Sequence, residues 1–140
     1  ILIFGASGFI GNAIYKELCS YFNTYGTYCI DNNELEKNQH FLQYKVEEDD
    51  VFEILESIKP SVIISALRGD FSAQVIAHHH IAEYALEHNS KIIFLSSANV
   101  FDAYSKFPSY ESDKTLSNSV YGHFKIRIEN LSILSHVGEV

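Results

Sequence analysis

The amino-acid sequence predicts an α/β fold, a doubly wound parallel sheet with helices on both faces. Two observations predict it. Short apolar runs alternate with stretches of helical periodicity along the whole chain. Their spacing suits crossover connections, which parallel strands require and antiparallel ones do not. A glycine-rich turn, Gly5 to Gly11, follows the first apolar run and opens the first helical stretch.

Taken in order, Ile1 to Phe4 is an apolar run stopped by Gly5 and reads as a buried strand. Ile10, Ala13, Ile14 and Leu18 then follow helical spacing, fading near Tyr21 and Phe22. Thr24 to Cys29, β-branched and aromatic around one glycine, is the second strand. Polar Asp31 to Gln39 is a loop, and His40 to Val46 alternates as a third strand. The acidic run Glu47 to Asp50 precedes a helix through Ile58, where negative charge favours the helix start. Pro60 breaks the chain before a fourth strand at Val62 to Ile64. Phe71 to Asn89 is a long helix and Lys91 to Leu95 the fifth strand. Asn99 to Ser119 is mostly loop, and a last helix runs from about Val120 to Leu134.

Composition excludes several classes. The 140 residues, 46% hydrophobic and 20% charged, suit one domain with a substantial core rather than a disordered chain. No apolar run approaches the ~18 residues of a membrane span, and no signal peptide opens the chain. A net charge of −8 argues against a nucleic-acid partner. Two cysteines, Cys19 and Cys29, cannot scaffold a fold, which fits a reduced, cytoplasmic setting. The sequence holds no methionine and opens inside an apolar run, so it reads as part of a longer chain.

Gly5-Ala6-Ser7-Gly8-Phe9-Ile10-Gly11 has the chemistry of a phosphate cradle. Glycine permits the tight turn, the approach of backbone N–H groups to a pyrophosphate, and close packing of helix on strand. The helix N-terminus aims its free N–H groups and partial positive charge at the phosphates. The spacing is G-x-x-G-x-x-G, one residue longer than the commoner dinucleotide fingerprint.

Tyr121 and Lys125 stand four residues apart on a helical stretch and share a face. A nearby positive charge favours a phenolate and makes a tyrosine a usable acid or base. A second pair at this spacing, Tyr110 and Lys114, lies in a polar stretch just after Pro108, whereas Tyr121 leads an apolar-periodic helix with Phe124, Ile128 and Leu131. Ser96 and Ser97 end strand five, where a hydroxyl faces the ligand crevice and can donate to a carbonyl oxygen gaining charge.

Together these residues resemble the extended short-chain dehydrogenase/reductase superfamily, the NAD-dependent epimerase/dehydratase group. The resemblance rests on the glycine turn, Gly26-Thr27-Tyr28, Pro60 to Ala66, Ser96-Ser97 with Val100-Phe101-Asp102, and Tyr121 to Lys125. Ser96 to Asp102 is similar to the Ser-Thr-Asp-Tyr-Val-Phe-Asp signature of the dTDP-4-dehydrorhamnose reductase branch. The resemblance implies a Rossmann-like NAD(P)-binding domain over residues 1–140, the N-terminal part of a longer enzyme whose last strands and substrate domain come later. It implies reduction of a 4-keto sugar nucleotide, with an epimerase, a dehydratase or a non-catalytic dinucleotide-binding protein as alternatives. By motif position Tyr121 transfers the proton, Lys125 bonds the nicotinamide ribose and Ser97 orients the carbonyl. The cofactor would lie on Gly5, Ser7, Gly8, Phe9, Ile10, Gly11, Tyr28, Val46, Ala66, Leu67, Arg68, Tyr121 and Lys125. The partner would be a nucleotide sugar, and homodimers through helices beside the Tyr–Lys helix are common in the superfamily.

The sequence departs from the branch at Ala98, where an acid is usual, and at Asn99, where a tyrosine is usual. Ser65 stands in place of an asparagine, and Lys45 precedes Val46 where an aspartate commonly reads the adenine. Tyr28 and Cys29 occupy the position that selects between NAD and NADP, with Asp31 slightly late, and the choice stays open.

Three further features are read as structural. His78-His79-His80 cannot converge on one metal, because successive helical residues point ~100° apart. Cys19 is assigned to the apolar face of the first helix, and the abundant Tyr and Phe to the core. Glu47 to Asp50 is read as a solvated helix start.

Overall fold

A computed structural model describes residues 1–104 and 108–134. Residues 105–107 of the expected loop and the chain end, 135–140, lie outside the described residues. The elements are β1 (Leu2–Phe4), α1 (Phe9–Leu18), β2 (Tyr25–Tyr28), β3 (Phe41–Gln43), α2 (Val51–Ile58), β4 (Val62–Ser65), α3 (Phe71–His88), β5 (Lys91–Phe94) and α4 (Val120–Leu134). One turn of 3-10 helix, Ala98–Phe101, falls within the stretch expected to be loop.

The strands form one parallel sheet in the order β3-β2-β1-β4-β5. β1 is central, and its three side chains are fully buried. Leu2 and Phe4 point to one face, where they meet Val51 and Leu55 of α2 and Ile81, Tyr84 and Ala85 of α3. Ile3 points to the other, with Ile64 and with Ile14, Tyr15 and Leu18 of α1. This is the expected doubly wound sheet. The β2–β3 connection crosses without a helix, as the polar Asp31–Gln39 stretch suggested. Strand order reverses between β1 and β4, and such a reversal leaves a crevice at the carboxyl ends of the strands.

The helix ends differ in a way that matters for the site. Asp50 caps α2 by accepting from Phe52 N at 2.9 Å, and Asp70 caps α3 by accepting from Ala73 N at 2.9 Å. Both helices end on a left-handed residue, Lys59 at φ 49° and Asn89 at φ 52°. α1 starts at Gly8 with no side-chain cap. The acidic run before α2 also holds backbone: Glu47 Oε1 accepts from Asp70 N at 2.8 Å, and Asp49 Oδ2 from Lys45 N at 2.7 Å. It is more than a solvated helix start.

Some side chains lie elsewhere than expected. Cys19 is exposed, because it follows the last residue of α1 and its Sγ turns back to the Lys16 carbonyl. On α1, Ile10 and Ala13 face outward and Tyr15 takes their place on the sheet. Phe9 is 93% exposed and Tyr21 74%, so the aromatics are not uniformly core. The three histidines diverge: His79 turns to Glu83, His80 packs on Phe52, and His78 is buried. Among the described residues no cluster of His, Cys, Asp or Glu is arranged to hold a metal, and no helix is long and apolar enough to cross a membrane.

His78 links α3 to the sheet. Its Nδ1 lies 2.6 Å from the Gln74 carbonyl, which can only accept, so Nε2 accepts from Ser65 Oγ at 2.8 Å. Burial pushes the imidazole down from 6.5 to about 4; the Gln74 carbonyl opposes the shift and the Lys125 charge adds to it. The unfolded chain therefore takes up this proton near its ordinary pKa while the folded chain does not. Stability should fall as pH drops from 6.5 toward 4. Denaturant unfolding at pH 7, 6 and 5 checks this: His78→Gln should flatten the decline, and an identical slope in the variant would contradict it.

Candidate functional site

The turn after β1 is built by backbone contact. Gly5 has a left-handed φ of +77°, and a Cβ there would lie 2.5 Å from the Ala66 carbonyl oxygen. A Cβ at Gly11 would run into the Gly5 carbonyl, so α1 sits directly on the strand end. Gly5 N donates to Thr27 Oγ1 at 2.9 Å, and Gly8 N to Gly5 O at 3.0 Å. The first-turn N–H groups of a helix have no intrahelical partner, and here no side chain caps them. They face the crevice with the positive end of the helix dipole behind them.

Two clefts meet across this turn. One, of about 370 Å³, is lined by Gly5, Ser7, Tyr28, Asp31 and Val46. The other, of about 400 Å³, is lined by Phe9, Ile10, Gly11, Ser96, Tyr121 and Lys125. Gly8, Ala66, Leu67 and Arg68 line both and join them into one groove. At its β2 end Gln43 Nε2 donates to Asp31 Oδ1 at 2.6 Å, holding that carboxylate at the rim. Each residue expected to hold the cofactor thus lies along the groove.

α4 closes the other end. Lys125 is buried, its Nζ donating to the Leu95 carbonyl at 3.0 Å and lying 4.6 Å from the centre of the Phe94 ring. The Tyr121 ring centre is 5.7 Å from the same ammonium. Burial pushes the Lys125 pKa down, with Glu129 pulling the other way. Tyr121 is 39% exposed and packs against Phe71, which stacks on Phe124 with ring centres 4.4 Å apart. A phenol at a groove wall beside a buried ammonium can pass a proton to a bound group.

The serines divide differently. Ser96 lines the groove and donates to the Glu129 carboxylate. Ser97 caps the 3-10 turn, accepting from Asn99 N at 3.3 Å and donating to Asn99 Oδ1 at 3.0 Å. Ser65 is held by His78, so Ala66 and Leu67 are what β4 presents to the groove. Tyr110 lies outside both clefts, its N bonded to Asp113 Oδ2.

Sequence reasoning missed four supports. Thr27 holds Gly5. Asp102 accepts from Asn118 N at 2.7 Å and from Ser119 Oγ at 2.6 Å. Those bonds, Ser119 foremost, hold its carboxyl below the usual range. Ser119 caps α4 by accepting from Gly122 N at 3.0 Å. Gly122 has no room for a Cβ, because Ser117 Oγ and the Asn99 carbonyl fill the space. A serine just before an apolar helix and a glycine inside one were legible signals of the last two.

The Gly5 contact yields a test. Gly5→Ala combines a strained φ with a backbone clash and should cost about 1–3 kcal/mol of stability. Thermal unfolding reads the loss, and an unchanged midpoint would contradict this account of the turn.

Residues 1–138 match the family described as RmlD substrate binding domain. The chain is 32% identical to a dTDP-4-dehydrorhamnose reductase of Aggregatibacter actinomycetemcomitans, over 94% of this chain and 46% of that protein. It resembles the crystal structure of a hypothetical dTDP-4-dehydrorhamnose reductase from Sulfolobus tokodaii, with TM-score 0.79, 22% identity, and coverage of 93% of this chain and 50% of that one. It also resembles UDP-glucuronic acid 4-epimerase from Bacillus cereus in complex with NAD, with TM-score 0.72, 21% identity, and coverage of 97% and 52%. At these identities the two structures show a shared fold, and the chain spans about half the length of the relatives it matches. With the match running through 138 of its residues, the chain belongs to the RmlD substrate binding domain family.

Proposed function

We propose that residues 1–140 form the dinucleotide-binding and proton-transfer part of an NAD(H)-dependent oxidoreductase, one that reduces a keto group on a nucleotide-linked sugar. The observation that carries this reading is that Tyr121 and Lys125 line the same groove as the uncapped start of α1. The groove fits a dinucleotide in its donor set. Free N–H groups and Ser7 meet the pyrophosphate, and the small Gly5, Gly8 and Ala66 leave room for it.

The remaining roles follow from position. Tyr28, Asp31 and Val46 hold the adenosine end, while Leu67 and Arg68 flank the middle. When bound, the dinucleotide supplies the hydride that reaches the keto carbon. Tyr121 donates the phenolic proton to the keto oxygen, so that C=O becomes CH–OH. Lys125, with one donor fixed on Leu95, keeps others for the nicotinamide ribose. Ser97 lies outside both clefts with its hydroxyl on Asn99, and its role in orienting the same oxygen requires that hydroxyl to turn toward the groove. A cytoplasmic setting and a homodimer through α3 and α4 belong to this reading; both thiols are free, and Ile76, Leu86 and Ile133 are exposed on those helices.

The adenosine end favours NAD over NADP. Asp31 stands at the rim, where a carboxylate accepts from a ribose hydroxyl and repels a 2′-phosphate. Among the described residues lining that cleft the only Lys or Arg is Arg68, on the β4 side.

Three measurements on the full-length protein test the reading. Tyr121→Phe should abolish reduction of dTDP-4-dehydrorhamnose and leave NADH affinity within a few-fold; retained turnover would refute the assignment. One NADH should be consumed per sugar reduced, whereas turnover without net consumption would indicate an epimerase or dehydratase. NADH should bind about ten-fold more tightly than NADPH or better, and Asp31→Asn should narrow the gap. Binding of neither dinucleotide would remove the enzyme reading altogether.

A further inference from the structure

The segment between Ser97 and Tyr121 ties those two groups together. Ser97 caps the 3-10 turn, and the turn delivers Asp102 to the start of α4. The two carboxylate oxygens hold different donors: Oδ1 the backbone N of Asn118 at 2.7 Å, Oδ2 the hydroxyl of Ser119 at 2.6 Å. Ser119 passes the restraint into the helix by accepting from Gly122 N at 3.0 Å, one residue after Tyr121. On the opposite side Gly122 is pressed on the Asn99 carbonyl, within the turn itself, and Leu116 N donates to Val100 O at 2.8 Å. The first turn of α4 is thus gripped between Asp102 and Asn99.

We propose that Asp102 is a positioning residue of the reaction, acting through Ser119 to fix the helical turn that carries Tyr121 relative to Ser97. The inference rests on the proton-transfer reading of Tyr121 given above. Asp102 lines neither half of the groove, and its two carboxylate oxygens are taken up by Asn118 N and Ser119 Oγ, so it acts through them. Its effect is geometric. A proton donor displaced by about 1 Å from its acceptor loses on the order of 100-fold in rate. A carboxylate suits the position because both donors face it. Asparagine keeps one acceptor for Asn118 N and turns an N–H toward Ser119 Oγ, whose second lone pair still serves Gly122 N. Alanine keeps neither bond.

The test uses the full-length protein with NADH and dTDP-4-dehydrorhamnose. Asp102→Ala should lower kcat about 100-fold, with KM and NADH affinity within about three-fold, because the groove lining other than Tyr121 is untouched. Asp102→Asn should recover most of the rate, and Ser119→Ala should lower kcat in the same direction while leaving Asp102 on Asn118. Wild-type kcat in folded Asp102→Ala would overturn the proposal, as would equal losses in the Ala and Asn variants. Tyr121 can also be followed directly by NMR of the protein labelled with 13Cζ-tyrosine, its signal assigned with Tyr121→Phe. In Ser119→Ala that signal should shift; an unmoved signal would overturn the proposal even if the wild-type protein reduces no keto sugar. Absence of wild-type turnover with a shifted signal would refute the reductase reading and leave the clamp standing.

Discussion

The structure depends on a backbone contact at the end of β1. Gly5 meets the Ala66 carbonyl and Gly11 meets Gly5, at distances that leave no space for a Cβ on either glycine. That approach draws α1 down onto the sheet where strand order reverses between β1 and β4. It also sets the depth of the groove, because Ala66, Leu67 and Arg68 continue from the contact as the lining common to both halves. A larger residue at either glycine would lift the helix and spread the strand ends. The sheet supports the contact with a β1 whose three side chains are fully buried on the two faces.

The treatment of helix starts separates scaffold from site. α2 and α3 begin at aspartates that satisfy backbone N–H groups, and both end on left-handed residues that stop them cleanly. α4 is capped by Ser119, itself held by Asp102. Only α1, among the described helices longer than one turn, opens on a glycine without a side-chain cap. Unsatisfied N–H groups at the floor of a groove are a standing preference for an anion. At the other end Lys125 is desolvated and anchored on Leu95, so its charge keeps a fixed place beside Tyr121. The start of α1 and the Tyr121–Lys125 pair line the same cleft.

Local periodicity made the sheet legible in the sequence. The apolar runs at Ile1 to Phe4 and Val62 to Ile64 mark strands buried on both faces, and Pro60 and Asn89 mark helix boundaries. The glycine turn was legible because its residue types have few other uses between a strand and a helix. The supports of the site were not, because they are long-range or depend on exact position. Nothing near Asp102 in the sequence says that it meets Ser119, seventeen residues on. Ser65 stands where the branch has an asparagine, yet it is turned inward by His78. Ile10, expected both at helical spacing and at the cofactor, lines the groove, because an uncapped helix start is exposed on the ligand side. Cys19 failed as core by a single residue: the helix ends at Leu18.

The central claim is that one dinucleotide spans both halves of the groove, from Asp31 to Lys125. A crystal structure of the full-length protein with bound NADH measures this directly. The account predicts the pyrophosphate against the first turn of α1, the adenosine ribose at Asp31, and the nicotinamide ribose within hydrogen-bond reach of Lys125 Nζ. NADH bound with its nicotinamide end away from α4, or with no phosphate oxygen at the start of α1, would contradict it.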